Sequence, residues 1–218
     1  MTPPYVIIVY QQRKEFVMSR LYERQETLGL NINQSVTVVG CGGIGYWVGK
    51  YLAMSGIESI YLFDPDTFEE HNLNRIDIGL DKLGINKAVV TKDVILSIRP
   101  NCTVRALPFI MQEHTFPKTD WVLDCTDKIK SQLENQRIAQ KYGARYVKAG
   151  YNGESISISD SVAEWGEAED GYTIIPSWVV PASIVAAMVV AKMLKYNNCE
   201  MGLELKDIFN YKSVKGRK

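Results

Sequence analysis

The chain has 218 residues, of which 46% are hydrophobic and 23% are charged. This composition excludes wholesale disorder, because it supplies enough apolar surface to offset the entropy of ordering a chain of one-domain length. Lysine plus arginine number 25, and so do aspartate plus glutamate. A balanced charge argues against a generic nucleic-acid binder, which normally carries a basic excess, so a small molecule or a protein is the expected partner.

The cysteines and the hydropathy pattern give a second set of exclusions. The four cysteines are Cys41, Cys102, Cys125 and Cys199. None belongs to a C-x-x-C pair, so we expect neither a zinc site nor a disulfide framework. The longest apolar stretch, residues 178–191, is shorter than the roughly 18–20 residues of a membrane span. These patterns predict a cytoplasmic protein without membrane or nucleic-acid partners.

In chain order, residues 1–34 form a predicted N-terminal extension, with a short apolar run at 5–10 and a polar leading helix at about 12–27. Residues 35–218 form the predicted main domain, in which short strands alternate with helices. The predicted strands are 36–39, 59–63, 121–123, 145–150 and 154–160. The predicted helices are 44–54, 87–98, 128–142 and 181–196, and 162–171 forms a loop. The chain therefore predicts an α/β, Rossmann-like, doubly wound sheet that is mostly parallel, with helices on both faces and some antiparallel strands in its C-terminal half.

A glycine-rich segment follows the first predicted strand of this domain and opens its first helix. Its glycines are Gly40, Gly42, Gly43 and Gly45. Glycines at this junction permit a tight turn and a close approach of the backbone to phosphates, which the helix N-terminus also attracts. Asp64 ends the next strand, about 20 residues later, where a carboxylate can accept hydrogen bonds from ribose hydroxyls. The order of these features predicts a nucleotide site.

The charged residues that follow distinguish between nucleotides. NAD or FAD is the usual ligand of such a fingerprint. Here, however, Arg75 and Lys87 place two fixed positive charges near the phosphates, and Asp127 places a carboxylate at the end of a third strand. This set is suited to a triphosphate with Mg²⁺, whose charge must be neutralised at a reacting phosphorus. Hydride transfer has no such requirement.

Several segments together resemble one known family. They are VGCGGIG at 39–45, FDPD at 63–66, HNLNR at 71–75, GINK at 84–87 and DCTD at 124–127, with YERQ at 22–25 upstream. In this order they resemble the ThiF/MoeB/HesA superfamily of adenylating enzymes, which are related to ubiquitin-activating enzyme. The resemblance covers most of the chain, from about residue 19 to residue 196.

The resemblance implies a role for each residue of the nucleotide site. Asp64 would hold the ATP ribose, with Asp66 beside it. Asn72 and Arg75 would bind the phosphates, and Lys87 would balance charge at the α-phosphate as it is attacked. The glycine turn would receive the triphosphate. ATP is the implied nucleotide.

The resemblance also implies a metal, a partner and a reaction. Asp127 would coordinate Mg²⁺. Arg24 would act as a catalytic arginine in the ATP site of a neighbouring subunit, so a homodimer is implied. A substrate carboxylate would attack the α-phosphorus and give an acyl-adenylate and pyrophosphate. The carboxylate would be the C-terminus of a ubiquitin-like or sulfur-carrier protein or of a peptide, and a modified nucleoside carboxylate is a further alternative.

Three departures from the family pattern leave other functions open. The zinc-binding C-x-x-C pairs are absent, and residues 161–177 contain no cysteine for thioester or persulfide transfer. Lys128 stands where the family usually has asparagine, and Cys199 is either an incidental thiol or a covalent intermediate. One alternative is a non-catalytic homologue that serves as a nucleotide- or protein-binding scaffold. The other is an NAD-dependent oxidoreductase on the same fold.

Overall fold

A seven-stranded sheet organises the computed structural model, which describes residues 20–162, 176–197, 201–205 and 207. The strands are β1 (Ser35–Val39), β2 (Ser59–Phe63), β3 (Thr103–Leu107), β4 (Trp121–Asp124), β5 (Arg145–Tyr151), β6 (Ser155–Ser159) and β7 (Met201–Glu204). Their order across the sheet is β3-β2-β1-β4-β5-β6-β7. β1 to β5 pair in parallel, while β6 pairs antiparallel with β5 and β7 with β6.

Helices cover both faces of the sheet. They are α1 (Gly45–Met54), α2 (Lys87–Ile98), α3 (Ile129–Lys141) and α4 (Val179–Leu194) within the described ranges. Adjacent residues of β1 show the two faces, because side chains alternate along a strand. Val38 packs in one core with Leu52 of α1 and Val189 of α4. Val39 packs in the other with Ile138 of α3.

The observed elements confirm the predicted fold class, a mostly parallel, doubly wound α/β sheet with antiparallel strands near its C-terminal end. Every predicted strand and helix from residue 35 onwards has a counterpart, with ends that differ by three residues or fewer. Strands β3 and β7 were not predicted and form the two edges of the sheet. The apolar run at 5–10, most of the loop at 162–171 and Cys199 lie outside the described residues.

The described part of the predicted leading helix, residues 20–27, is not a regular α-helix. Of the predicted stretch 12–27, the described part is a turn followed by a 3-10 helix at Glu23–Leu28. It is attached to the end of α1, where the Tyr22 hydroxyl donates to the carbonyl of Ala53 at 3.2 Å and the Gln25 amide donates to that of Ser55 at 2.7 Å. The carbonyl of Ala53 also accepts the N–H of Gly56, so the bond from Tyr22 adds to the bonds that close the end of α1. Residues 20–34 are therefore packed on the domain.

None of the helices in the described ranges is long and apolar enough to cross a bilayer. α4 is apolar over most of its length but has only 16 residues, compared with about 20 for a membrane-spanning helix.

Candidate functional site

The predicted site residues follow the carboxyl ends of the central parallel strands. The glycine turn follows β1, Asp64 follows β2, and Asp127 comes shortly after β4. β1 lies between β2 and β4, so the strand order reverses beside it. Ligands of open α/β sheets bind at such a reversal, outside the carboxyl ends of the strands.

The turn between β1 and α1 has space only for glycine at its two ends. Gly40 has φ +84°, a left-handed conformation that other residues rarely adopt, and a Cβ there would lie 3.0 Å from the carbonyl oxygen of Cys125. A Cβ on Gly45 would lie 1.7 Å from the carbonyl oxygen of Gly40. By contrast, nothing lies within 4 Å of the position for a Cβ on Gly42. The turn is thus tight against the protein and open at its middle, where the N-terminus of α1 offers backbone N–H groups.

Asp64 connects the end of β2 to this turn. Its carboxylate accepts the backbone N–H of Cys41 at 2.6 Å and that of Asp66 at 2.8 Å. The side chain is almost fully buried, and burial raises its pKa above the usual range, although the two N–H groups and the charge of Lys87 oppose this shift. Each carboxylate oxygen has a second lone pair, so Asp64 keeps acceptor capacity for a ligand hydroxyl.

The loop after β2 holds Arg75 over the glycine turn. Its guanidinium donates to the carbonyl of His71 at 2.6 Å and to the side chain of Asn74 at 2.9 Å. The Arg75 Cδ lies 2.9 Å from the position that a Cβ on Gly43 would occupy. Asn72 is buried in the same loop, where its side-chain oxygen accepts the N–H of Glu69 at 3.0 Å. Asn72 thus shapes the loop that presents the arginine.

Lys87 lies at the start of α2 and points toward the end of β2. Its ammonium group is 3.3 Å from a carboxylate oxygen of Asp66, whose side chain is 68% exposed. Asn86 caps the helix by accepting the N–H of Val89 and donates to the carbonyl of Asp64 at 2.8 Å. The cap therefore fixes the first turn of α2, and with it the lysine, to the edge that carries Asp64.

Asp127 lies on a loop organised by a second buried aspartate. Asp124 ends β4 and accepts hydrogen bonds from Thr126, Asn135 and Tyr146. Burial raises the pKa of Asp124, against the effect of these donors. Asp127 itself is exposed and has no side-chain partner among the described residues. Asp124 belongs to the DCTD segment, but the sequence alone does not predict its role. Its partners Asn135 and Tyr146 lie 11 and 22 residues away and form no local pattern with it.

Arg24 lies away from the glycine turn of its own chain. It lies exposed on the 3-10 helix, which contacts the last residues of α1. The glycine turn leads into Gly45, the first residue of α1. Ten helical residues span about 15 Å, so Arg24 and the turn are at opposite ends of α1.

The described cysteines offer no activated thiol at this site. Cys41 lies in the glycine turn and Cys125 follows β4, and burial raises the pKa of both thiols well above the usual value. Because the thiolate is the nucleophile, a buried thiol of this kind is inert. The structure therefore agrees with a packing role for these two residues.

The metal-binding capacity of the described residues is small. They contain no group of three or more His, Cys, Asp or Glu side chains that could enclose a metal ion. Mg²⁺, however, commonly binds through one or two carboxylates together with substrate phosphates and water. The exposed and unpaired carboxylate of Asp127 fits that mode of binding, in which the nucleotide supplies most of the ligands.

The fold and the site define a doubly wound α/β protein with a Rossmann-type glycine turn at its strand-order reversal. The sequence model of the ThiF family matches residues 21–159. Since this match covers more than half of the sequence, the chain belongs to the ThiF family, which confirms the resemblance drawn from the motifs.

Individual relatives agree with this assignment. The chain is 33% identical over 121 residues to tRNA threonylcarbamoyladenosine dehydratase of Bacillus subtilis, a match that covers 53% of this chain and 48% of that protein. It is 32% identical over 117 residues to adenylyltransferase and sulfurtransferase UBA4 of Eremothecium gossypii, with 51% and 26% covered. The chain thus aligns with about half or less of the length of these relatives.

Solved structures show the same fold. A crystal structure of E. coli MccB with ATP superposes with a TM-score of 0.65 at 24% identity, covering 73% of this chain and 54% of that chain. A crystal structure of PaaA gives the same TM-score and identity, with 81% and 62% covered. At this identity the likeness demonstrates the fold alone.

Proposed function

We propose that the chain is an ATP-dependent adenylyltransferase that activates a substrate carboxylate as an acyl-adenylate and releases pyrophosphate. The observation that carries the proposal is the placement of two cations at one glycine turn. Arg75 lies against Gly43, and Lys87 interacts electrostatically with Asp64 and Cys41 beside the same turn. Membership of the ThiF family and the name of the relative UBA4, an adenylyltransferase and sulfurtransferase, support the same activity.

The nucleotide would be held at its ribose and at its triphosphate. The ribose hydroxyls would donate to Asp64, which is already fixed by two backbone N–H groups. The triphosphate would lie at the N-terminus of α1, where Arg75 packs against Gly43. Asn72 would support the loop that carries this arginine. Such fixed donors and charges stabilise developing charge without having to reorganise during the reaction.

The reaction would proceed by in-line displacement at the α-phosphorus. A carboxylate oxygen of the substrate forms the new P–O bond while the bond to the pyrophosphate oxygen breaks, and pyrophosphate leaves with its electron pair. Lys87, held by Asp66 at 3.3 Å, would balance the charge that builds on the α-phosphate. Mg²⁺, bound by Asp127 and the phosphates, would neutralise the leaving group.

A homodimer would complete the site. Arg24 lies at the far end of α1 from the glycine turn of its own chain, and is exposed there. It would therefore serve the site of a second copy, as the family resemblance implies. The carboxylate would come from the C-terminus of a small carrier protein or a peptide. The thiols of Cys41 and Cys125, the cysteines described at the site, have pKa values that burial raises well above the usual value, so the adenylate would pass to a nucleophile of another molecule in the cytoplasm.

Calorimetric titration with MgATP and with NAD⁺ tests the nucleotide, and carboxylate-dependent pyrophosphate exchange tests the reaction. We expect MgATP to bind and NAD⁺ to remain silent. The Asp127→Ala variant should lose about 100-fold or more in exchange rate, and its unfolding midpoint should match that of wild type because Asp127 has no partner in the described fold. Asp93→Ala, which removes an exposed carboxylate from α2, is the matched control.

The alternatives predict different results. Binding of NAD⁺ without MgATP would overturn the proposal in favour of an oxidoreductase. MgATP binding that supports no exchange with carrier-protein or peptide carboxylates, in wild type as in Asp127→Ala, would instead identify a nucleotide-binding scaffold. A panel of carboxylates that includes a modified nucleoside separates the substrate classes.

A further inference from the structure

Tyr151 lies at the glycine turn although no motif contains it. It is the last residue of β5 and is half-buried. Its hydroxyl oxygen lies 2.6 Å from the position that a Cβ on Gly43 would occupy. The Cδ and Nε of Arg75 lie 2.9 Å and 3.1 Å from that same point. The phenol and the guanidinium therefore meet over the glycine that precedes α1.

The Tyr151 hydroxyl has no hydrogen-bond partner among the described residues. Other inward-facing tyrosines do have one, since Tyr146 donates to Asp124 at 2.9 Å and Tyr46 donates to Asp77 at 2.5 Å. A tyrosine packed against a core normally satisfies its hydroxyl. The free hydroxyl beside a helix N-terminus and an arginine is thus a donor directed at the space where the proposed function places phosphates.

Residues 177 and 178 bond to the neighbours of both residues of this pair. The Asn74 side chain, adjacent to the arginine, donates to the carbonyl of Ser177 at 2.8 Å. The indole of Trp178 donates to the carbonyl of Gly153 at 2.8 Å, two residues beyond Tyr151. One short segment therefore connects the loop after β2 with the turn after β5. This connection links the two backbone segments that carry Arg75 and Tyr151.

We propose that Tyr151 is a further phosphate-binding residue, whose hydroxyl donates a hydrogen bond to the phosphate oxygen that Arg75 neutralises. The inference rests on the proposed function, because the anion is the triphosphate of ATP. No proton is transferred: the hydroxyl supplies a neutral donor beside a charged one. A donor in a fixed position orients the triphosphate for attack at the α-phosphorus.

The test compares MgATP binding by wild type, Tyr151→Phe and Tyr61→Phe in calorimetric titrations. Tyr151→Phe keeps the ring and removes only the donor, so we expect an affinity loss of about tenfold or more, the size expected for a hydrogen bond to a charged group. Tyr61, half-buried on β2, is the matched control and should bind MgATP as wild type does. Thermal unfolding without ligand should be the same for all three, because the removed hydroxyl bonds to nothing in the described fold.

Each other outcome overturns the assignment in a distinguishable way. Equal MgATP affinities of wild type and Tyr151→Phe would overturn the role of Tyr151 alone and leave the proposed function standing. A lowered unfolding midpoint of unliganded Tyr151→Phe would show that the hydroxyl is structural and would also overturn the assignment. Failure of the wild-type protein to bind MgATP would overturn both proposals.

Discussion

Strands β2 and β4 end in the same way, with a buried aspartate that accepts the backbone N–H two residues further along. Asp64 accepts from Asp66 at 2.8 Å, and Asp124 accepts from Thr126 at 3.0 Å. Such a bond shapes a local turn without help from the rest of the fold. The two strand ends therefore share one local turn, which Asp124 forms as the last residue of β4 and Asp64 forms one residue after β2, on the two strands that flank β1.

The two regions differ in the donors from which the second oxygen of each carboxylate accepts. That of Asp64 reaches out to the glycine turn and accepts the N–H of Cys41 at 2.6 Å. That of Asp124 faces the interior and accepts from Asn135 and Tyr146, both at 2.9 Å. The β2 end is thus connected to the candidate nucleotide site, while the β4 end is anchored in the scaffold and leaves Asp127 exposed. Equal chemistry at two strand ends does not imply equal function.

The largest expected effect is the loss of stability in Asp124→Ala. The change deprives the buried donors of Asn135 and Tyr146 of the carboxylate they share, and Tyr146 keeps only a long contact of 3.4 Å to the carbonyl of Gln132. At about 1–3 kcal/mol for each donor, we expect a loss of roughly 3 kcal/mol or more. Asp64→Ala should cost less, about 1–2 kcal/mol, because it deprives one buried donor, the N–H of Cys41, together with the N–H of the exposed Asp66. Urea unfolding at neutral pH measures both. A larger cost for Asp64→Ala than for Asp124→Ala would contradict the division into site and scaffold.

The pH dependence of the unfolding free energy is a second test of the role of Asp124 in the scaffold. Burial raises the pKa of Asp124 above its ordinary value of 3.8, so the folded protein binds this proton more tightly than the unfolded chain does. The contribution of Asp124 to stability is therefore greatest at low pH and falls as pH rises from about 4 through the raised pKa, by up to about 1.4 kcal/mol per pH unit. Asp124→Asn should lack this contribution.

Urea unfolding of wild type and Asp124→Asn between about pH 4 and 8 measures this contribution. The free energy of unfolding of wild type minus that of the variant should decrease as pH rises. A difference that instead increases with pH would mean that the four hydrogen bonds to Asp124 outweigh its burial.

The smallest effect is expected at Asp66, which lies near Asp64 in sequence but outside the buried network. Its side chain is 68% exposed, and its ion pair with Lys87 is open to solvent on that side. Exposed ion pairs contribute about 0–1 kcal/mol, so Asp66→Asn should change the unfolding free energy by less than 1 kcal/mol. Chemical unfolding with Asp93→Ala alongside as the surface control checks this. A loss comparable to that of Asp64→Ala would place Asp66 in the same network.

The central strands were predictable from sequence because both of their faces are buried. β1 and β4 are continuous apolar runs, and the glycines and aspartates that follow them mark the edge where the site lies. β3 and β7 escaped prediction because they are edge strands with a mixed pattern: β3 contains Arg105 and exposed Thr103, and β7 contains Gly202. Pairing with a neighbouring strand, rather than their own hydrophobicity, stabilises them.

The motifs predicted the nucleotide-site residues that lie close together in sequence, but not those brought in from afar. Gly40, Asp64 and Lys87 could be assigned because each has a fixed distance from a strand or helix end. Tyr151 could not, since its approach to Gly43 depends on the position of β5 two strands away from β1. Residues 20–27 form a turn and a 3-10 helix in place of a regular helix, because a polar helical spacing carries no information about tertiary packing.

The two edges of the sheet have a consequence for self-association. Within the described residues, β3 and β7 each pair on one side only, and both are short, at five and four residues. Short edge strands, and charged residues such as Arg105 in β3, disfavour the strand-to-strand growth that leads to aggregates. Two copies of this chain are therefore expected to meet through helices and loops, so that dimer formation and fibre formation would use different surfaces.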